Sequence, residues 1–157
     1  MARRITSGRR PLKYASMDEV MPDVDRLLLG HRTLGQWSLG QICRHLSGVV
    51  AASAEGFPGL LPWLVRRTVG PRILRTMLTT EALREGVWLP EKIKPKPGLD
   101  ARAEAETLRA AVRQFAARPD PPVEHPICGK LTRDQWDHFH RVHCAHHLSF
   151  VVPDGSG

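Results

Sequence analysis

The chain has 157 residues, enough to bury one core and few for a second domain of ordinary size. Its 41% hydrophobic and 25% charged residues fit an ordinary folded protein, and no apolar run approaches the roughly 18 residues a membrane helix needs. The net charge of +7 is concentrated in Arg3, Arg4, Arg9, Arg10 and Lys13, without which the balance falls to about +2.

Residues 1–13 therefore read as a flexible basic arm ahead of a single domain over residues 14–153. Such an arm can touch nucleic acid, but the chain has one tyrosine and no basic motif interleaved with aromatics. Nucleic acid is accordingly not the expected partner. The arginine-rich start lacks the apolar stretch of a secretory signal. Cys43, Cys128 and Cys144 are odd in number and form no CxxC pair, which points to a reducing, cytoplasmic setting.

Strand signals are nearly absent, whereas apolar residues recur at helical spacing. The first helix is expected over Met17 to Leu29, opened by a Ser16/Glu19 capping box and stopped at Gly30, with Pro22 kinking it or delaying its start. The second, in "WSLGQICRHLSGVVAASAEGF", has Ser38 as N-cap and an apolar stripe of Leu39, Ile42, Leu46, Val49 and Val50. In "GLLPWLVRRTVGPRILRTMLTTEAL", Pro62, Gly70 and Pro71 break the pattern into short helical pieces. Their apolar and basic residues suit a membrane surface, but the interruptions favour a cover over the core. The Pro- and Lys-rich "LPEKIKPKPGLD" has no helical period. Asp100 then caps a helix whose inner stripe is Ala105, Leu108, Val112 and Phe115. After the turn-rich "PDPPVEHPICGK", Thr132 and Gln135 make a capping box for a helix from Arg133 to about Phe150. The fold class is therefore all-α: a four-helix bundle with an irregular, partly helical insertion between its second and third helices.

Five of the eight histidines lie in "HFHRVHCAHHLSF", residues 138–150. A helix turns about 100° per residue, so His143 and His147, four apart, can aim at one point. HxxxH is how one helix offers two imidazoles to a metal. His45 lies on the apolar face of the second helix, between Ile42 and Val49. An inward imidazole costs free energy unless its nitrogens are satisfied. Three inward histidines on two helices would satisfy that need through a shared metal, in a His₃ set that leaves a coordination position open.

"WSLGQICRHL" together with "HCAHHLSF" resembles the DinB/YfiT-like metalloenzyme superfamily. More closely, "RTLGQWSLGQICRHLSG" and "HPICGKLTRDQWDHFHRVHCAHHLSF" resemble a bacterial branch of it labelled only as a domain of unknown function. The resemblance runs from about Arg10 to Pro153. It implies a four-helix bundle whose metal is held by His45, His143 and His147. Related families include thiol-dependent transferases and isomerases, so the resemblance implies a metal without naming a reaction.

A divalent ion on three neutral imidazoles can acidify a bound water or activate a thiol. The expected activity is thus that of a hydrolase or a thiol-dependent transferase, acting on a small molecule, with a low-molecular-weight thiol as candidate co-substrate. Zinc or nickel suits such ligands best, and iron is allowed. His140, His146 and His125 are the candidate proton carriers or supporting groups, with Glu124 behind them. A Cys144/His140 pair offers a competing site with no third ligand. His138 reads as solvated, and Trp37, Trp63 and Trp136 as pocket rim or bundle packing. The rival reading is a non-catalytic metal-binding bundle that acts as an interaction or structural protein, and a homodimer is compatible with its apolar insertion.

Overall fold

The computed structural model describes residues 7–83, 85, 94–118 and 123–155. The expected segments at 1–6, 89–93 and 119–122 fall outside them. The described elements are α1 (Val20–Leu29), β1 (His31–Thr33), α2 (Leu39–Glu55), α3 (Trp63–Thr68), α4 (Gly70–Thr80), α5 (Ala101–Ala117), α6 (Arg133–Leu148) and β2 (Val151–Pro153). The protein is mostly helical, an all-α chain with one short two-stranded ribbon.

The helices start where their caps dictate. Ser38 Oγ accepts from Gln41 N–H while the Gln41 side chain accepts from Ser38 N–H, and Thr132 and Gln135 repeat this reciprocal pair at α6. Asp100 accepts from Ala103 N–H at the start of α5. At α1 the expected box is displaced. Ser16 Oγ takes the Asp18 N–H, and the Glu19 carboxylate reaches Ala15 N–H instead of Ser16. A 3-10 turn over Met17–Glu19 precedes the α-helix, which puts Pro22 in its first turn, where the lost N–H has no intrahelical partner to forfeit. The helix starts late and ends at Gly30.

The most extensive helix contact is between α2 and α5; α6 also packs on α2, and α1 on both α5 and α6. The expected stripes form the core, with Val49 only half-buried at its margin. Leu39, Ile42, Leu46 and Val50 face Ala105, Leu108, Val112 and Phe115, and all eight are buried. Each such side chain contributes about 1.5–3 kcal/mol on removal from water. The start of α5 passes so close to α2 that a Cβ on Gly40 would sit 2.6 Å from the Leu99 carbonyl oxygen. Glycine there sets how closely the two elements approach, five residues before His45.

Three expectations need correction. The ribbon pairs His31 with Pro153 and Thr33 with Val151 in antiparallel register, and its three-residue strands are too short to show alternation in sequence. Next, the arm is not free from Arg9 onward. Arg10 forks onto the Asp23 carboxylate with two bonds of 2.7 Å and also donates to Leu148 C=O. Arg9 donates to Ser149 Oγ and His146 C=O, pairs with Glu85, and lies 4.1 Å above the Phe150 ring. Lastly, α3 buries none of its residues, and only Gly70, Leu74 and Met77 of α4 face inward. The segment expected to cover the core does so with one face of α4 alone.

Candidate metal centre

His45 stands on α2 between the buried Ile42 and Leu46 and is itself half-buried. His143 and His147 occupy successive turns of α6, His143 8% exposed and His147 half-buried. The three rings meet at their Nε2 atoms. His143 Nε2 lies 3.2 Å from His45 Nε2 and 3.1 Å from His147 Nε2. One ligand atom from each of the three lies within 4.8 Å of the others.

That convergence is chemically awkward without a cation. A neutral Nε2 carries either one hydrogen or one lone pair, so His143 Nε2 cannot make two well-formed hydrogen bonds to two further Nε2 atoms. Nor can charge resolve it. Burial holds His45 down to about 4, and burial followed by mutual repulsion holds His143 and His147 well below the usual imidazole range. All three rings are neutral near pH 7, the state in which imidazole ligates. Tetrahedral zinc with Zn–N bonds of about 2.0–2.1 Å separates neighbouring nitrogens by roughly 3.3–3.4 Å. The two separations at His143 are close to that spacing, and the three histidines could hold a metal ion.

Aromatic rings fix the cluster from two sides. Trp37 stacks on His147 with centroids 5.6 Å apart and planes 8° from parallel, and it also touches His45 at 5.1 Å. Phe139, one turn before His143, stacks on that ring at 5.4 Å. Trp37 directly precedes the N-cap of α2, so the cap that starts the helix also sets the tryptophan beside the site. Trp136 is a fully buried core residue, and Trp63 is 64% exposed on α3.

The other candidate residues divide. His146 adjoins the cluster: its ring meets His147 edge-on at 5.0 Å and Phe150 at 5.7 Å, and burial with the Arg9 charge pulls it down to about 4. His140 does not join it. Expected among the proton carriers, it is fully buried between Trp136 and Phe115, and burial pulls it to about 3. Ser53 uses its hydroxyl hydrogen on Val50 C=O, so the 3.0 Å contact makes His140 Nε2–H the donor and leaves Nδ1 without a partner. His125 serves its own turn, where Nδ1 accepts the N–H groups of Ile127 and Cys128, each at 3.1 Å. Glu124 pairs with Arg66. His138, expected to be solvated, is half-buried and 3.4 Å from Glu81. Cys144 is fully buried, its thiol pushed up to about 12, and among the described residues only the three-histidine group has metal-binding geometry.

Trp37 was legible as a rim candidate, but its partner ring was not. Arg9 was visible only as charge, since its contacts lie 140 positions away at Ser149. Comparison with curated proteins finds no match, and comparison with solved structures finds none. A family model described as "Protein of unknown function (DUF1569)" matches residues 6–154. A match over nearly the whole chain shows that the protein belongs to the DUF1569 family.

Proposed function

We propose that the protein is a metal-dependent enzyme in which His45, His143 and His147 bind a divalent ion, zinc or nickel by ligand type, within a four-helix bundle of DinB/YfiT-like kind formed by α1, α2, α5 and α6. The observation that carries this reading is the meeting of three neutral Nε2 atoms from two helices, two of the separations being 3.1 and 3.2 Å. Three protein ligands leave a position for substrate, unlike closed four-ligand structural sites. When bound, the ion supplies a Lewis acid able to acidify water or a small thiol, which suits a hydrolase or a thiol-dependent transferase.

The chain's own groups supply the rest. Trp37 and Phe139 hold two imidazole planes in place and keep water from one side of the cluster. His146, neutral near pH 7 and edge-on to His147, is placed to take up a proton at the rim. Arg9, fixed against Phe150 and Ser149 and paired with Glu85, closes the edge of the site beside His146. Three buried free cysteines agree with a reducing, cytoplasmic setting.

The test is tag-free expression followed by metal analysis of the wild type and of His45→Ala, His143→Ala and His147→Ala. The wild type should carry stoichiometric metal, and each variant should lose it. Cobalt substitution then reads the open position, because added thiol should shift the visible spectrum. A wild type that neither retains nor takes up zinc or nickel refutes the centre. Stoichiometric metal whose spectrum responds to no thiol or anion would instead favour a non-catalytic structural centre.

A further inference from the structure

The segment from 56 to 80 contains four arginines and no acidic residue. It also carries the main apolar surface described in the protein. Leu60, Leu61, Trp63, Leu64, Val69 and Ile73 are all between 42% and 64% exposed. Ile127 joins them from the neighbouring turn at 37%. Scattered exposed leucines are ordinary, but a group of this size within one short segment, with Arg67, Arg72 and Arg75 exposed beside it and Glu124 paired to Arg66, marks a binding surface.

The platform is held rigidly against the body. A Cβ on Gly70 would sit 2.5 Å from the Ile127 carbonyl oxygen, so α4 begins in direct backbone contact with the 126–128 turn. Leu61 N–H donates to Pro126 C=O, and Arg66 donates to Leu61 C=O while pairing with Glu124. Leu74 and Met77 anchor the inner face of α4. The remaining arginines lie outward: Arg67 rests 5.6 Å from the Trp63 ring, Arg72 donates to Thr68 C=O, and Arg75 is exposed. The apolar side chains thus project outward with cations around them instead of folding onto the core.

We propose that α3 and α4 form a docking face for an anionic lipid bilayer, with Trp63 and Leu64 entering the headgroup boundary and Arg67, Arg72 and Arg75 facing acidic headgroups. Charge selects this occupant. A second copy docked face to face would oppose arginines with arginines, whereas an anionic leaflet complements them. The leucines and Trp63 select lipid over nucleic acid, since aliphatic side chains gain by entering the acyl boundary and have no use along a phosphate backbone. No helix among the described residues is long and apolar enough to cross a membrane, so the attachment is peripheral.

The test uses the full chain sedimented with vesicles of phosphatidylcholine alone, or of phosphatidylcholine mixed with phosphatidylglycerol. Binding is expected only to the mixed vesicles and should weaken with added salt. The triple variant Arg67→Ala/Arg72→Ala/Arg75→Ala should lower the partition constant on the order of a hundredfold, at roughly fivefold per arginine. Trp63→Ala/Leu64→Ser should also release the protein, with an unchanged circular-dichroism melt showing that it remains folded. Absence of binding to the mixed vesicles overturns the proposal, as does binding that the arginine variant leaves intact. A chain that binds duplex DNA but no vesicle overturns it too. So does one that is dimeric until Trp63 and Leu64 are replaced and ignores lipid throughout.

Discussion

Replacing His140 with leucine separates a core histidine from one that serves the candidate metal centre. In the folded protein His140 is fully buried and its imidazole is held down to about 3. In the unfolded chain it titrates near 6.5. Between those values the unfolded state binds a proton that the folded state refuses, so its contribution to stability is present above pH 6.5 and is lost as pH falls. The loss is about 1.4 kcal/mol per pH unit, or about 3 kcal/mol by pH 4. His140→Leu removes that proton. At pH 7 the change should be within about 1.5 kcal/mol, because the bond to Ser53 is lost while the partnerless Nδ1 disappears and Ser53 still donates to Val50. Urea unfolding of chelator-treated protein from about pH 7 to about pH 4 should therefore show a shallower acid decline in the variant. The gap should widen to about 3 kcal/mol at the acid end. Metal affinity should stay within a few-fold of wild type. Parallel stability curves would refute the buried-proton reasoning. A metal affinity that drops tenfold or more would put His140 in the centre after all.

Zinc at about a hundred times its dissociation constant should stabilise the wild type by about 2.7 kcal/mol, raising Tm by roughly 5–11 °C, and leave the Tm of His143→Ala unmoved. Differential scanning fluorimetry with and without chelator reads both. Gly40→Ala should cost about 1–3 kcal/mol in chemical denaturation, because its Cβ meets the Leu99 backbone at 2.6 Å and α5 must shift. Arg10→Ala leaves the Asp23 carboxylate with the Tyr14 hydroxyl and the charge of Arg26, and should cost about 2–3 kcal/mol near neutral pH. Burial opposes the ionised Asp23, but hydrogen bonds from Arg10 and Tyr14 outweigh it and hold the carboxyl below its usual range. The stability it supplies is present above pH 3.8 and lost as pH falls through the lowered value, so the cost of Arg10→Ala should shrink in acid.

Where local chemistry decided the outcome, the sequence was a good guide. Ser38, Asp100 and Thr132 cap the helices expected of them, and the stripes of α2 and α5 are buried as their spacing required, apart from the half-buried Val49. His45, His143 and His147 were found together because helix periodicity fixes direction, and direction fixed their convergence. Matters decided by distant partners were less visible. His140 lies close in sequence to His143 and His147, yet Ser53 and Phe115 claim it for the core. The arginines at 9 and 10 read as free charge because nothing local announces Asp23 or Ser149. The apolar residues of α3 carried the pattern of a covering helix; whether such a face meets a core depends on the turn at 126–128, which periodicity does not encode.

His45 and His143 are separated by 98 positions, so the centre's time of birth differs from that of its parts. At about 5–20 residues per second, a ribosome needs roughly 5–20 s to go from one to the other. Throughout that interval the α2 segment, with its histidine and apolar stripe, has been made and α6 has not. Any metal held by the three histidines could be captured only late in synthesis, and a nascent chain stalled before His143 would present an open, half-built core to its surroundings instead of a weak binding site.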